Sequence, residues 1–447
     1  MGERGGEEQE MKLAFITFFA TAIILLLPVV WFATTTTATP TTGCIQYDAG
    51  SRTIVITCDT TWTDIVDSSA ITQAPNGGNN VITSEGNGSY VLDGGLFVEN
   101  NASLALSSEE QQLKWLKIVG EHAIDIEEGV LMVDGIKISS WNTTSHTEVE
   151  ENANATIPRA WILIDDSTGG HIKNSELSHL GYESEENGRG GVQLDDVNDF
   201  EISNSTFHDN YFAFYSNDVS NITIDGNEYY DNLLYALDPH TGSQDMQITN
   251  NKVYDNAGFG IICSLDCTDV TIDGNTVYRN HRAGIMLSRN TTESQVINNN
   301  VYDQPSAYGV FVSQSSDNLV HNNTLKNNMY GVYVKEPTAT GNEISNNNIT
   351  QSKRAIVFSN VTENENPNIV ANNTISKNLS YQYFMTKNSQ MLLDGETFKL
   401  GEIRGAEGNN TVTIQNSGII NIDGKPVDTN LKPFVVSLTN RTLDVNP

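Results

Sequence analysis

The stretch Asn251-Lys252-Val253-Tyr254-Asp255-Asn256 returns 24 residues later as Asn275-Thr276-Val277-Tyr278-Arg279-Asn280. Working outward, Asn204, Asn227, Asn251, Asn275, Asn299, Asn323 and Asn347 fall in one column, at intervals of 23 and then 24 five times. A second column pairs a small residue with an apolar one: Ala213-Phe214, Ala236-Leu237, Gly260-Ile261, Gly284-Ile285, Gly309-Val310, Gly331-Val332 and Ala355-Ile356. Such self-similarity marks a solenoid, in which each repeat buries its apolar face only by stacking on its neighbours. The repeats hold short runs such as Val270-Thr271-Ile272 and Gly331-Val332-Tyr333-Val334, separated by Asn, Asp and Gly. These are strand and turn signals, and no repeat holds ten residues of helical period. The expected fold is all-β, a parallel β-helix with coils of about 24 residues. The Asn column has a structural explanation, because Asn tolerates left-handed turns and stacked amides bond along the axis.

The expected organisation places a leader and a Thr-rich linker at 1–43, an N-terminal cap at 44–80, the β-helix at 81–380 and a C-terminal β cap at 381–447. Residues 148–156 and 183–189 read as polar insertions. Leu13 to Ala33 is a run of 21 residues without a charge, which suits either a cleaved secretory signal or a membrane anchor. Both place the rest of the chain outside the cell. Fourteen Asn-x-Ser/Thr sequons agree with export, although Asn before Thr is also ordinary β-coil sequence. The four cysteines suggest two local disulfides, Cys44 with Cys58 and Cys263 with Cys267.

Lys plus Arg number 24 against 56 Asp plus Glu, a net charge of −32. That excludes a backbone-reading nucleic-acid binder, which needs a basic face. It also opposes an anionic substrate at long range. From Lys252 to Arg289, however, four basic residues balance four acids. Ca²⁺ is a candidate ion from the Asp and Asn turns, but no loop has a recognisable ligand spacing. No cofactor is expected to be essential.

One coil departs from its columns: Tyr235-Ala236-Leu237-Asp238-Pro239-His240. Leu237 aligns with Phe214, Ile261 and Ile285, and so points inward. Pro239 points inward too. Asp238 and His240 then face outward on one strand, roughly 7 Å apart. Proline in a parallel ladder forfeits a hydrogen bond, which makes its presence informative. A Tyr, an acid and an imidazole on one face suit proton transfer, because no Ser or Cys nucleophile has a base beside it. A carboxylate pair drawn from Asp165, Asp166, Asp195 and Asp196 is the glycosidase alternative, although adjacent acids on a strand face opposite ways.

Tyr-x-x-Asp-Pro-His, followed by Gly260-Ile261-Ile262 and by Asn280 to Asn290, resembles the mannuronan C5-epimerases of alginate biosynthesis. The resemblance spans about Phe212 to Val334. It implies a right-handed parallel β-helix, an isomerase activity and an acidic polysaccharide as partner. Tyr235, Asp238 and His240 match the family's catalytic positions. Arg282 matches an arginine of some members and His281 a histidine of others, and Arg289 is a further candidate clamp. Ala283 and Leu265 stand where some members carry a second histidine and a carboxylate-binding arginine, so the second acid/base and the clamp stay open. Inverting C5 of a uronate needs a base on one face, an acid on the other and a counter-charge for the enolate-like intermediate. His240 is the expected base, Tyr235 the proton donor, and Asp238 either orients His240 or binds the carboxylate. A lyase on the same scaffold and a non-catalytic carbohydrate binder are the alternatives.

Overall fold

The computed structural model describes residues 43–72, 81–150, 155–184, 189–362, 365–398 and 401–446. The run Leu13 to Ala33 lies outside them, as do parts of both insertions. No helix among the described residues is long and apolar enough to cross a membrane. The chain is a right-handed parallel β-helix. Each central coil contributes three short strands, exemplified by Leu237–Pro239, Gln244–Thr249 and Lys252–Tyr254, and the next coil begins at Ile261–Ser264. One face is a 15-stranded sheet.

The small-apolar column is a column in space. Phe214, Leu237, Ile261, Ile285, Val310, Val332 and Ile356 are successive register partners, all with 0% exposure. Burying each such side chain stabilises by about 1.5–3 kcal/mol. The preceding residue is small because the coils leave no room: a Cβ at Gly260 would sit 2.6 Å from the carbonyl oxygen of Gly284.

The Asn column divides into two structural roles. Asn227, Asn251, Asn275, Asn299, Asn323, Asn347 and Asn373 form a buried ladder in which each backbone N–H and side-chain amide donates to Oδ1 of the next. The left-handed conformation belongs to the residue before, as at Asn250, Asn298, Asn322 and Asn346. Asn204 is one of these, with φ 50°, and Ser205 takes the ladder position beneath Asn227. The irregular first interval of 23 records that change of role. A second amide ladder runs from Asn210 through Asn232 and Asn256 to Asn280.

At the N-terminal end, Ile45–Asp48 and Thr53–Ile56 form an antiparallel hairpin whose second strand pairs in parallel with Gly95–Val98. The helix Trp62–Asp67 follows, with Thr61 and Asp64 forming a capping box and Trp62 and Ile65 buried. At the other end, parallel pairing continues past 380 to Thr411–Gln415. The coils persist there, but the repeat shortens to 21 residues between Ser389 and Asn410, which removes the 24-residue signal. Antiparallel strands Ile419–Ile422, Lys425–Asp428, Phe434–Ser437 and Thr442–Asn446 close the end.

Cys44 and Cys58 are disulfide-bonded. The expected Cys263–Cys267 disulfide is not formed: both are buried free thiols. The reason is local. Pro239 has no N–H, and pairing between Leu237–Pro239 and Ile261–Ser264 is confined to Leu237 with Ile261. Cys267 Sγ accepts from the N–H of Ser264 at 3.1 Å and donates to the Pro239 carbonyl at 3.4 Å. The thiol satisfies backbone groups left over by the interrupted ladder.

Candidate active site

Asp238 lies on the strand Leu237–Pro239 and His240 directly follows it, but the expected solvated face is not found at Asp238. Asp238 is 2% exposed, and its Oδ1 has no hydrogen-bond partner. Burial raises its pKa well above the ordinary carboxylate value, against the opposing pull of Arg289. Tyr215 is its register partner one coil below. Burial first, and the Asp238 charge second, push the Tyr235 pKa up to about 12 and raise that of Tyr215 as well. Tyr235 packs between Phe212 and Phe259, with ring centroids 5.4 and 5.5 Å away.

His240 is held on three sides. Arg289, from two coils further on, donates from Nη2 to His240 Nε2 at 2.9 Å. A guanidinium only donates, so Nε2 carries the lone pair. Nδ1 then carries the proton and donates to Thr241 Oγ1 at 2.8 Å. The Tyr215 ring lies 5.3 Å from the imidazole. Burial, and then the Arg289 charge, lower the His240 pKa to about 4. Arg289 is in turn anchored through Nε to Ser264 Oγ at 2.9 Å.

Of the other expected residues, Arg282 is exposed and lies over the Phe259 ring at 5.8 Å, close enough for its charge to act on Tyr235. His281 is exposed, and its side chain makes no hydrogen bond, ion pair or ring contact with a described residue. Sequence reasoning missed Tyr215 and Thr241, while the column above His240 already held Ser264. Tyr215 was within reach, since aligning Phe214 with Leu237 also aligns Tyr215 with Asp238.

The outer face is asymmetric about this cluster. Towards the C-terminus, Ile262, Met286 and Phe311 form an apolar strip with Ala283, flanked by Phe259, Tyr308 and Tyr333. Lys335 and Arg354 follow, and Arg354 sits 3.6 Å from the centre of the Phe384 ring. Towards the N-terminus, the column beneath His240 runs through Asn217 to Asp195, Asp165 and Glu127. Asp195 accepts from Asn217 Nδ2 at 2.8 Å. Burial raises the pKa of both Asp165 and Asp195, and pushes that of Asp125 up to about 6 with help from Glu127 and Asp165. Glu127, Glu128, Asp165, Asp166, Asp196 and Asp218 line a cleft of about 450 Å³ there. These all-oxygen donors suit a hard cation such as Ca²⁺.

Residues 134–301 match the family model "Right handed beta helix region", and residues 241–409 match "Periplasmic copper-binding protein (NosD)". The chain is 26% identical over 169 residues to a mannuronan C5-epimerase of Pseudomonas fluorescens, which covers 36% of this chain and 31% of that protein. It is 28% identical over 159 residues to the Pseudomonas aeruginosa enzyme, covering 32% and 28% respectively. The chain thus spans about a third of the length of these curated relatives. Among solved structures, that of the periplasmic alginate epimerase AlgG superposes with a TM-score of 0.62 at 19% identity, covering 77% of this chain and 80% of that one. The resemblance drawn from the Tyr-x-x-Asp-Pro-His coil is met by these sequence matches, and the fold it implied by the superposition.

Proposed function

We propose that the chain is an exported isomerase that inverts C5 of uronate residues in an acidic polysaccharide, with mannuronan as the leading substrate. The observation that carries this reading is the buried Asp238 two residues from a neutral His240 whose lone pair, among the described residues, is engaged by Arg289. An imidazole with its pKa at about 4 is unprotonated at neutral pH and can act as a base once Arg289 releases Nε2. A tyrosine at about 12 keeps its proton and can give it. Burial of Asp238 favours its protonated form, which can donate a hydrogen bond to the substrate.

On this reading the uronate carboxylate binds Arg289 and the protonated Asp238. A carboxylate is a stronger acceptor for a guanidinium than an imidazole is, so Arg289 turns from His240 and frees Nε2. Nε2 removes the C5 proton. The charge that develops on the carboxylate is met by Arg289 and Asp238 in a site shielded from water. Tyr235 delivers a proton to the opposite face, and exchange with solvent resets both groups. The polymer lies on the C-terminal side, where aromatic rings offer faces to sugars and Lys335 and Arg354 offer charge. The acidic column excludes it from the other side unless Ca²⁺ neutralises that column.

The test is proton NMR of polymannuronate incubated with the protein in D₂O, with and without Ca²⁺. Deuterium at C5 together with new guluronate signals is the expected result. Unsaturated chain ends would reassign the site to β-elimination. No exchange at C5 in mannuronan or in other uronate polymers would overturn the reading.

A further inference from the structure

On another face of the β-helix, His179 and His208 lie on successive coils, with rings edge to face at 6.0 Å. A donor atom of each of His179, His208 and Asp209 lies within 4.8 Å of the others. His179 is 6% exposed, yet its Nδ1 has no hydrogen-bond partner. Glu148 Oε1 lies 3.5 Å from it, and is itself held by Lys137 Nζ at 2.9 Å and Ser178 Oγ at 2.8 Å. A buried nitrogen left in this state is costly and calls for an explanation, and a missing ion is one of the few available.

The surroundings support an ion. His208 Nδ1 faces Asp209 Oδ2 at 2.7 Å, while its Nε2 is 3.1 Å from Glu176 Oε1. The second ring nitrogen of His179 lies 3.6 Å from Glu150 Oε1. Every ring nitrogen thus has a carboxylate oxygen within 3.6 Å, with Glu176 and Glu150 in the outer positions from which carboxylates orient metal-bound histidines. Among the described residues, Glu148, Glu150, Glu176 and Asp209 outnumber Lys137 and Arg159 around the two imidazoles.

We propose that His179, His208 and Asp209, joined by Glu148, form a structural site for a divalent transition-metal ion, with Zn²⁺ the best chemical match. Two imidazoles and two carboxylates are a borderline donor set that suits a four-coordinate ion at about 2.0–2.2 Å. His208 Nδ1 faces Asp209 Oδ2 at 2.7 Å, so the proton shared between them leaves to solvent when Nδ1 takes the ion, with no change of oxidation state. Glu148 comes from the strand Thr147–Glu148, which folds back on Lys137–Asn142. The ion would tie that hairpin to two coils.

The experiment titrates the metal-free full chain with Co²⁺ and follows its visible absorption, then displaces the Co²⁺ with Zn²⁺ and counts bound metal by atomic emission. The expected result is one ion per chain, with the intense visible bands of low-coordinate Co²⁺. His179→Ala should abolish the bands, and Glu176→Gln should weaken binding by about 10–100-fold. His240→Ala, on the other face, should leave them unchanged. Should His179→Ala fail to fold by circular dichroism, Asp209→Asn replaces it. Wild-type protein without visible bands, or a folded ligand variant that binds as wild type does, would overturn the site.

Discussion

Arg289 reaches across two coils to place Nη2 2.9 Å from His240 Nε2. The same guanidinium lowers the proton affinity of His240 and opposes the raised pKa of Asp238. Burial sets the direction of both shifts, and this cation reinforces it at His240 and opposes it at Asp238.

The first expected outcome concerns pH. For wild type, kcat/KM should rise with pH through about 4, as His240 loses its proton, and stay flat through neutrality. Arg289→Gln removes a positive charge that disfavours imidazolium, so the His240 pKa should climb and the acidic limb should move to higher pH. An unmoved limb in the variant would remove His240 from the role of base. His240→Ala and Tyr235→Phe should each cost about 10²–10⁴-fold in turnover while leaving the fold intact.

Asp238→Asn should separate stability from activity. The buried carboxyl with an unpartnered Oδ1 is destabilising, and its raised pKa makes the folded state bind protons more tightly than the unfolded one. Wild-type stability should therefore fall as pH rises above about 4 towards the folded-state pKa. In Asp238→Asn that slope should shrink, with a gain of about 1–3 kcal/mol at neutral pH. Urea denaturation at pH 5 and pH 8 reads this, and turnover should drop in the same variant.

Asn275→Ala should lower stability by about 3 kcal/mol, because it strips partners from Asn251 and from the Ile248 carbonyl in a fully buried ladder. Exposed Asn300→Ala, one residue after the next ladder position and in extended backbone, serves as the control for denaturant melts.

Thiol labelling checks the cysteines. Both Cys263 and Cys267 have 0% exposure, so the native protein should resist an alkylating reagent. In urea without reductant two thiols should react, and four after reduction.

The acidic column should act at long range. Asp165→Asn with Asp195→Asn should lower KM for a polyuronate several-fold at low ionic strength. The gain should fade near 1 M salt, where the screening length falls to about 3 Å. A salt-independent change would point to altered packing instead.

Much of this was legible because repetition exposes register. The columns through Leu237 and Asn251 give the inward face, and alternation then puts Asp238 and His240 outside. The Cys263–Cys267 pairing failed because spacing alone does not say which backbone groups a proline leaves unsatisfied. The loss of period after 380 misled because a coil can shorten from 24 to 21 residues and still stack.

By itself the sequence determined the solenoid, the coil that breaks its pattern and the residues gathered there, since each is a local or periodic property of the chain. Only the tertiary structure decided that Asp238 is shielded, that Arg289 from two coils away closes on His240, and that the outer face is apolar on one side and acidic on the other. Burial and electrostatic environment are sums over neighbours from several coils. A one-dimensional reading ranks which side chains face outward, but the stacking of coils sets the dielectric and the charges each of them meets.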